Sequence, residues 1–87
     1  MQTLSQVKLS AICKAHGFRQ DSNGLQYDFS TLCYGEQASV KYIGKFVEVF
    51  TYLWQYNESG DCIRNEKRTQ TLTASEAEEY LKSILQW

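Results

Sequence analysis

Few side chains in this sequence belong to the types that perform catalysis, and their spacing does not assemble a recognisable site. The 87 residues contain a single histidine, His16, and Cys13 lies one helical turn before it. At that spacing a histidine can activate a cysteine as a nucleophile. No sequence motif accompanies this pair, and a histidine near a helix end more often interacts with the helix dipole. We therefore expect a protein that is not an enzyme.

Metal and cofactor sites are not indicated either. Cys33 and Cys62 are far from Cys13 and from each other, whereas zinc sites use closely spaced pairs. Glu78 and Glu79 are adjacent, so on a helix they project in different directions and form no general acid–base pair. The five glycines lack the spacing of a phosphate-binding loop. We expect no metal, no cofactor and free thiols in a reducing compartment.

The composition is that of one ordinary folded domain spanning residues 1–87. Hydrophobic residues make up 43% of the chain and charged residues 22%, close to the averages for globular domains. A net charge of −1 creates no strong field to attract nucleic acid or an anionic membrane. The sequence has no signal-peptide pattern and no stretch near the ~20 apolar residues that span a membrane. We expect a cytoplasmic protein that does not bind membranes.

An amphipathic helix is predicted over residues 4–16. Thr3 and Gln6 have the spacing of a capping box at its start, and Gly17 stands where a left-handed cap would end it. Its apolar side chains recur at helical spacing, so we expect them to face the core. They are Leu4, Val7, Ala11, Ile12 and Ala15.

A second helix is predicted from about Thr73 to the end of the chain. Thr73 and Glu76 have capping-box spacing. Ser75 and Glu78 have the same spacing two residues later. The apolar face of this helix comprises Ala77, Tyr80, Leu81, Ile84 and Leu85.

The residues between the helices have the pattern of strands. Apolar and polar residues alternate over 25–33, which is the period of a half-buried strand. The residue types at 21–24 predict a loop before it, and Gly35 suggests a hairpin turn over 35–37 after it.

A second group of strands follows. Alternation continues over 38–42, and 46–56 is rich in β-branched and aromatic residues. Gly44 between them is either a turn or a bulge. A turn at 57–60 precedes a polar strand at 62–72. The sequence therefore predicts an α+β domain, with an antiparallel sheet of three to four strands flanked by an N-terminal and a C-terminal helix packed on one face.

Segment 46–56 is the most informative feature, because both of its rows of alternate residues are apolar. One row is aromatic apart from Glu48, and comprises Phe46, Phe50, Tyr52, Trp54 and Tyr56. The other comprises Val47, Val49, Thr51 and Leu53. Helices in a two-layer domain cover one face, and the open face is usually polar. Either neighbouring strands and loops shield the second row, or that row binds a partner. We take the aromatic row as the candidate partner-binding surface.

Three classes of partner compete for this surface. A protein, either a second copy or another chain, suits large aromatics and near-neutral charge best; an adaptor, regulator or inhibitor would act this way. Single-stranded nucleic acid is the alternative, since bases stack on aromatics beside a basic groove. A small apolar ligand is disfavoured, because a short chain leaves little room for a cavity.

The basic residues Arg64, Lys67 and Arg68 have two interpretations. The simpler one is a charged edge strand that discourages aggregation. The other is a site for phosphate or an acidic partner, and for this reason Arg64 and Arg68 are included with the candidate partner-binding residues. Lys41 and Lys45 would have to complete any basic groove.

Overall fold

The fold is a five-stranded antiparallel meander with one helix at each end of the chain. The computed structural model describes residues 2–87. The elements are α1 (Leu4–Ala15), β1 (Arg19–Asp21), β2 (Gly24–Ser30), β3 (Tyr34–Ile43), β4 (Phe46–Tyr56), β5 (Cys62–Thr73) and α2 (Ala74–Leu85). Each strand pairs with the next in the chain. The predicted α+β class with terminal helices is confirmed, but the sheet has five strands and not three to four.

The additional strand is β1. Its three residues are polar and exposed, so no alternation marks them as a strand. They pair with the start of β2 across a turn at Ser22 and Asn23. The Asp21 carboxylate accepts a hydrogen bond from the Asn23 backbone N–H at 2.7 Å, a local bond that favours turns. The loop predicted at 21–24 is therefore the turn of a hairpin.

The turn predicted at 35–37 is wrong, because Gly35 lies inside β3 and the chain reverses at 31–33. Thr31 closes this loop. Its N–H donates to the Tyr34 carbonyl at 2.7 Å, and its hydroxyl accepts from the Tyr34 N–H at 3.2 Å. Gly44 lies in the turn between β3 and β4 with a φ of +59°, which glycine adopts without strain.

The helices cover the aliphatic row of β4. Val47 and Val49 are fully buried, and Thr51 and Leu53 are nearly so. The main helical side chains in the core are Leu9, Cys13, Ala77 and Leu81. The buried Thr51 hydroxyl lies 2.9 Å from the Tyr80 hydroxyl, so this polar group keeps a hydrogen-bonding partner.

Helix α1 is rotated relative to the prediction. The residues that it buries are Gln6, Leu9 and Cys13, whereas Leu4 is 86% exposed and Val7 51% exposed. The predicted apolar stripe is therefore wrong. The cause is Gln6, whose Nε2 donates to the Gly44 carbonyl at 2.9 Å while its Oε1 accepts from the Thr3 N–H at 2.9 Å. The bond to Gly44 turns the Gln6 side of the helix toward the sheet, while the bond from Thr3 belongs to the helix cap.

The sheet extends beyond the helices at the end that carries the β2–β3 loop and the β4–β5 turn. Gln6 ties α1 to the opposite end of the sheet, and α2 follows directly from the end of β5. A 12-residue helix spans ~18 Å, whereas the 12 residues of β5 span ~40 Å. The free end exposes Phe29, Ile63 and Leu32, the last of which is 98% exposed.

Candidate interaction surface

The aromatic row of β4, which comprises Phe46, Phe50, Tyr52, Trp54 and Tyr56, lies on the sheet face opposite the helices. Alternate residues of a strand point to opposite faces, and the intervening residues are those buried under α1 and α2. Phe46 and Tyr56 at its ends are 42% and 43% exposed, and the three aromatics between them are half-buried. The row thus lines a face that no helix of the described chain covers.

Trp54 is the most strongly held member of the row. Its register partner on β3 is Gly35, which is buried. A β-carbon added at Gly35 would overlap the Trp54 indole ring, so the ring lies flat across the glycine backbone. Aromatic side chains commonly cover a glycine in a neighbouring strand in this way. One side of the indole packs on the sheet and the ring remains half-exposed.

Two lysines lie against rings of the row. The Lys67 Nζ is 4.9 Å from the Tyr52 ring centroid, and the Lys45 Nζ is 5.7 Å from that of Phe46. A cation within about 6 Å of an aromatic ring is attracted by its electron-rich face. Trp54 and Tyr56 contact each other with centroids 5.8 Å apart. The surface is therefore aromatic with cations at its margin.

Apart from Ile43, which pairs with Phe46 and is 48% exposed, the rest of the open face is polar and close to electrically neutral. The β3 residues opposite the row include Gln37, Ser39 and Lys41, and Lys41 faces Glu48. A shallow concavity of about 260 Å³ lies beside Phe50. Its lining includes Arg19, Gln26, Asp28, Gln37 and Ser39. Charges of both signs lie within a few residues of the row, so no continuous basic groove adjoins it.

Arg64 and Arg68 lie on the other face. Arg68 is opposite the buried Thr51, and Arg64 is opposite Gln55. Arg64 pairs with Glu66, with Nη2 and Oε2 3.0 Å apart. The structure therefore does not bring these two arginines together with the aromatic row, and their role in binding remains a prediction.

Lys67, which the sequence did not place among the partner-binding residues, lies on the face of the aromatic row. A β-bulge explains why Lys67 lies on this face and the two arginines do not. Gln55 pairs with Arg64 but Tyr56 pairs with Cys62, so Ile63 is an extra residue in β5. One inserted residue moves every later side chain of a strand to the opposite face. No turn signal in the sequence marks Ile63 as the inserted residue.

A cleft of about 330 Å³ lies on the helix-covered face, between α2 and the edge of the sheet. Leu53 and Ile84 supply apolar wall, Thr51 and Tyr80 supply hydroxyls, and Arg68 lies at its edge-strand side. It adjoins the unpaired side of β5, because β5 is the last strand of the sheet.

Cys13 and His16 do not form a reactive pair. Burial, with a smaller contribution from the Glu78 carboxylate, raises the pKa of the Cys13 thiol to about 12. A thiol with such a pKa remains protonated near neutral pH and is a poor nucleophile. His16 stacks on Trp87, with ring centroids 4.5 Å apart and planes inclined by 6°. Both residues contribute to packing.

Within residues 2–87, no three histidine, cysteine, aspartate or glutamate side chains are grouped so that they could hold a metal ion. Over the same residues, neither helix has the length and apolar character needed to cross a bilayer.

Comparison of the chain with protein-family models, with curated proteins and with solved structures gives no match.

Proposed function

We propose that this chain is a non-enzymatic interaction domain that docks the aromatic row of β4 onto a protein surface. The observation that supports the proposal is the half-buried indole of Trp54, held on Gly35 within an aromatic row that no helix of the described chain covers. A ring that is already held in place loses little conformational freedom when a partner covers it. Tyrosine and tryptophan are also the side chains most enriched at energetically dominant contacts.

A second copy of the chain is the partner favoured by the charges on this face. Arg19, Lys41 and Lys67 lie on the same face as Asp28 and Glu48. Two copies related by a two-fold axis present the same surface to each other. Such a surface needs both signs of charge to avoid repulsion, and this one has both.

The test is the molar mass in solution, measured by size-exclusion chromatography with light scattering over a range of concentrations. A dimer should form and should dissociate on Trp54→Ala, with affinity lowered by roughly 30-fold, or ~2 kcal/mol. Leu4→Ala is the matched control, because it removes an exposed apolar side chain from the helical side. A chain that stays monomeric at high concentration contradicts self-association, and capture from cells with wild-type and Trp54→Ala baits then tests another protein partner.

Single-stranded nucleic acid is the second candidate, and the cations beside Tyr52 and Phe46 favour it. Bases would stack on the row while Lys67 and Lys45 contact phosphates. Binding of a labelled oligonucleotide at low salt should then weaken on Lys67→Ala and Lys45→Ala. Arg68→Ala should have little effect, because Arg68 is on the opposite face. Absence of binding at low salt removes this candidate.

A further inference from the structure

A second interaction surface, separate from the aromatic row, is the outer edge of β5. Within the described chain, β5 pairs with β4 on one side and is the last of the five strands. Its 12 residues contain neither proline nor glycine, so every residue retains its backbone donor. An edge strand of this length presents a row of unpaired backbone groups that another extended chain can pair with.

The charges on this edge select the kind of strand that fits. The Glu66 carboxylate pairs with Arg64, whereas neither Lys67 nor Arg68 forms an ion pair within residues 2–87. They are adjacent, so Lys67 faces the aromatic row and Arg68 faces the helical side. A strand added here would meet a cation on each of its faces. Acidic side chains satisfy both positions, because opposite charges on neighbouring strands attract.

A second copy of this edge satisfies Lys67 and Arg68 less well than an acidic segment does. Between residues 64 and 68, β5 offers three cations and one carboxylate, Glu66, and that carboxylate already pairs with Arg64. An acidic segment supplies a carboxylate to each unpaired cation.

The cleft beside α2 provides a further element of recognition. It adjoins β5 on the helical face, and Leu53 and Ile84 give it an apolar wall. In β-strand addition, backbone hydrogen bonds supply affinity and pockets for alternate side chains supply specificity. A volume of about 330 Å³ is ample for one aliphatic side chain.

We infer that the outer edge of β5 binds an extended acidic peptide segment of a partner protein, which adds a sixth strand and places an apolar side chain in the cleft lined by Leu53, Ile84 and Arg68. This site is on a different part of the sheet from the aromatic row, and it does not depend on self-association.

The probe is a fluorescein-labelled synthetic peptide of about ten residues, which spans ~33 Å as a strand. It carries glutamates in adjacent pairs, so that each face of the strand presents carboxylates, with valine and threonine elsewhere and one central leucine. Fluorescence anisotropy at low ionic strength should show saturable binding. Amide exchange of β5 should slow in the complex, because its outward N–H groups become hydrogen-bonded.

The double variant Lys67→Glu with Arg68→Glu should bind the probe about tenfold more weakly, equivalent to ~1.4 kcal/mol. The same peptide N-methylated at alternate residues should not bind, since it has lost the donors that pair with the edge. The double variant Lys14→Glu with Lys45→Glu is the control for charge, because it reverses two lysines that lie outside β5. Circular dichroism checks that each variant is folded.

Three results would overturn the inference. They are no saturable binding of the probe by the folded wild-type chain, equal binding of the N-methylated peptide, or equal loss of affinity in the control and in the β5 double variant. The last two would mean that net charge alone attracts the peptide and that no strand is added.

Discussion

The indole of Trp54 lies directly on the backbone of Gly35, which is its partner across β3 and β4. This contact packs β4 against β3. The indole ring occupies the space that any larger side chain at residue 35 would need. It also shapes the open face near the free end of the sheet.

Gly35→Ala should destabilise the protein by about 1–3 kcal/mol, because the new methyl group displaces the indole from its packed position. The measurement is urea unfolding followed by circular dichroism. Tryptophan emission should shift to the red in a Trp87→Phe background, where Trp54 is the remaining indole.

The control for that substitution is the same change in a Trp54→Ala background. Without the ring, Gly35→Ala should be neutral or stabilising by ~0.5–1 kcal/mol, since alanine loses less backbone freedom on folding than glycine. Equal destabilisation in both backgrounds would show that the indole is not the cause.

Gln6→Ala should destabilise the protein by about 1–3 kcal/mol. Gln6 is fully buried, and its loss leaves the Gly44 carbonyl without the 2.9 Å hydrogen bond that it accepts and removes one half of the α1 capping box. Gln37→Ala is the control, because Gln37 is exposed and surface changes usually stay within ~0.5 kcal/mol. Similar costs for the two variants would contradict the anchoring role.

Thr73→Ala should cost about 1 kcal/mol through loss of the cap of α2. The Thr73 hydroxyl accepts from the Glu76 N–H at 3.2 Å, and the Glu76 carboxylate accepts from the Thr73 N–H at 3.0 Å. The hydrogen bond from the Thr73 backbone N–H, and after it the one with the Thr73 side chain, lower the pKa of Glu76. Alanine keeps the backbone N–H, so an NMR titration should show only a partial rise of that pKa toward 4.5 in the variant. Ser75→Ala should change neither the free energy of unfolding nor the pKa of Glu76 appreciably. An effect as large as that of Thr73→Ala would show that Thr73 is not the cap.

Stability should fall at alkaline pH because of Cys13. Its pKa is about 12 in the folded chain and 9.0 ordinarily, so the unfolded chain loses the thiol proton first. The free energy of unfolding is unaffected by this group below about pH 9 and falls above it by up to ~1.4 kcal/mol per pH unit until the folded thiol ionises.

Cys13→Ala should flatten the decline in the free energy of unfolding. Part of the decline should remain, because burial also raises the pKa values of Tyr27, Tyr34 and Tyr42. The measurement is urea unfolding at pH values from neutral to about 11, with Cys62→Ala as the control because Cys62 is exposed. Identical slopes for the wild type and Cys13→Ala would refute the assignment.

Local signals explain which parts of the fold the sequence predicts well. Both helix starts are right because a capping box is formed by residues three apart, Thr3 with Gln6 and Thr73 with Glu76. The strand 46–56 is right because its side-chain types suit a sheet wherever they pair. β1 is missed because its three polar residues become a strand only by pairing with β2.

Part of the candidate site was also predictable from local signals. Adjacent positions of β4 had to lie on opposite faces, so the membership of the aromatic row followed from strand geometry alone. The side of the sheet on which Arg64 and Arg68 lie was not predictable, because the extra residue Ile63 places them on the face opposite the row. A bulge depends on pairing between two strands, which neither strand specifies by itself.

By itself, the sequence determined an α+β domain with capped terminal helices and a central strand apolar on both sides. Only the tertiary structure decided that the helices cover the aliphatic row, that Gln6 rotates α1 toward the sheet, and that Trp54 rests on Gly35. The division has a physical cause. Caps and alternation arise from residues close in the chain, whereas the choice of covered face depends on contacts between residues such as Gln6 and Gly44, which are 38 positions apart.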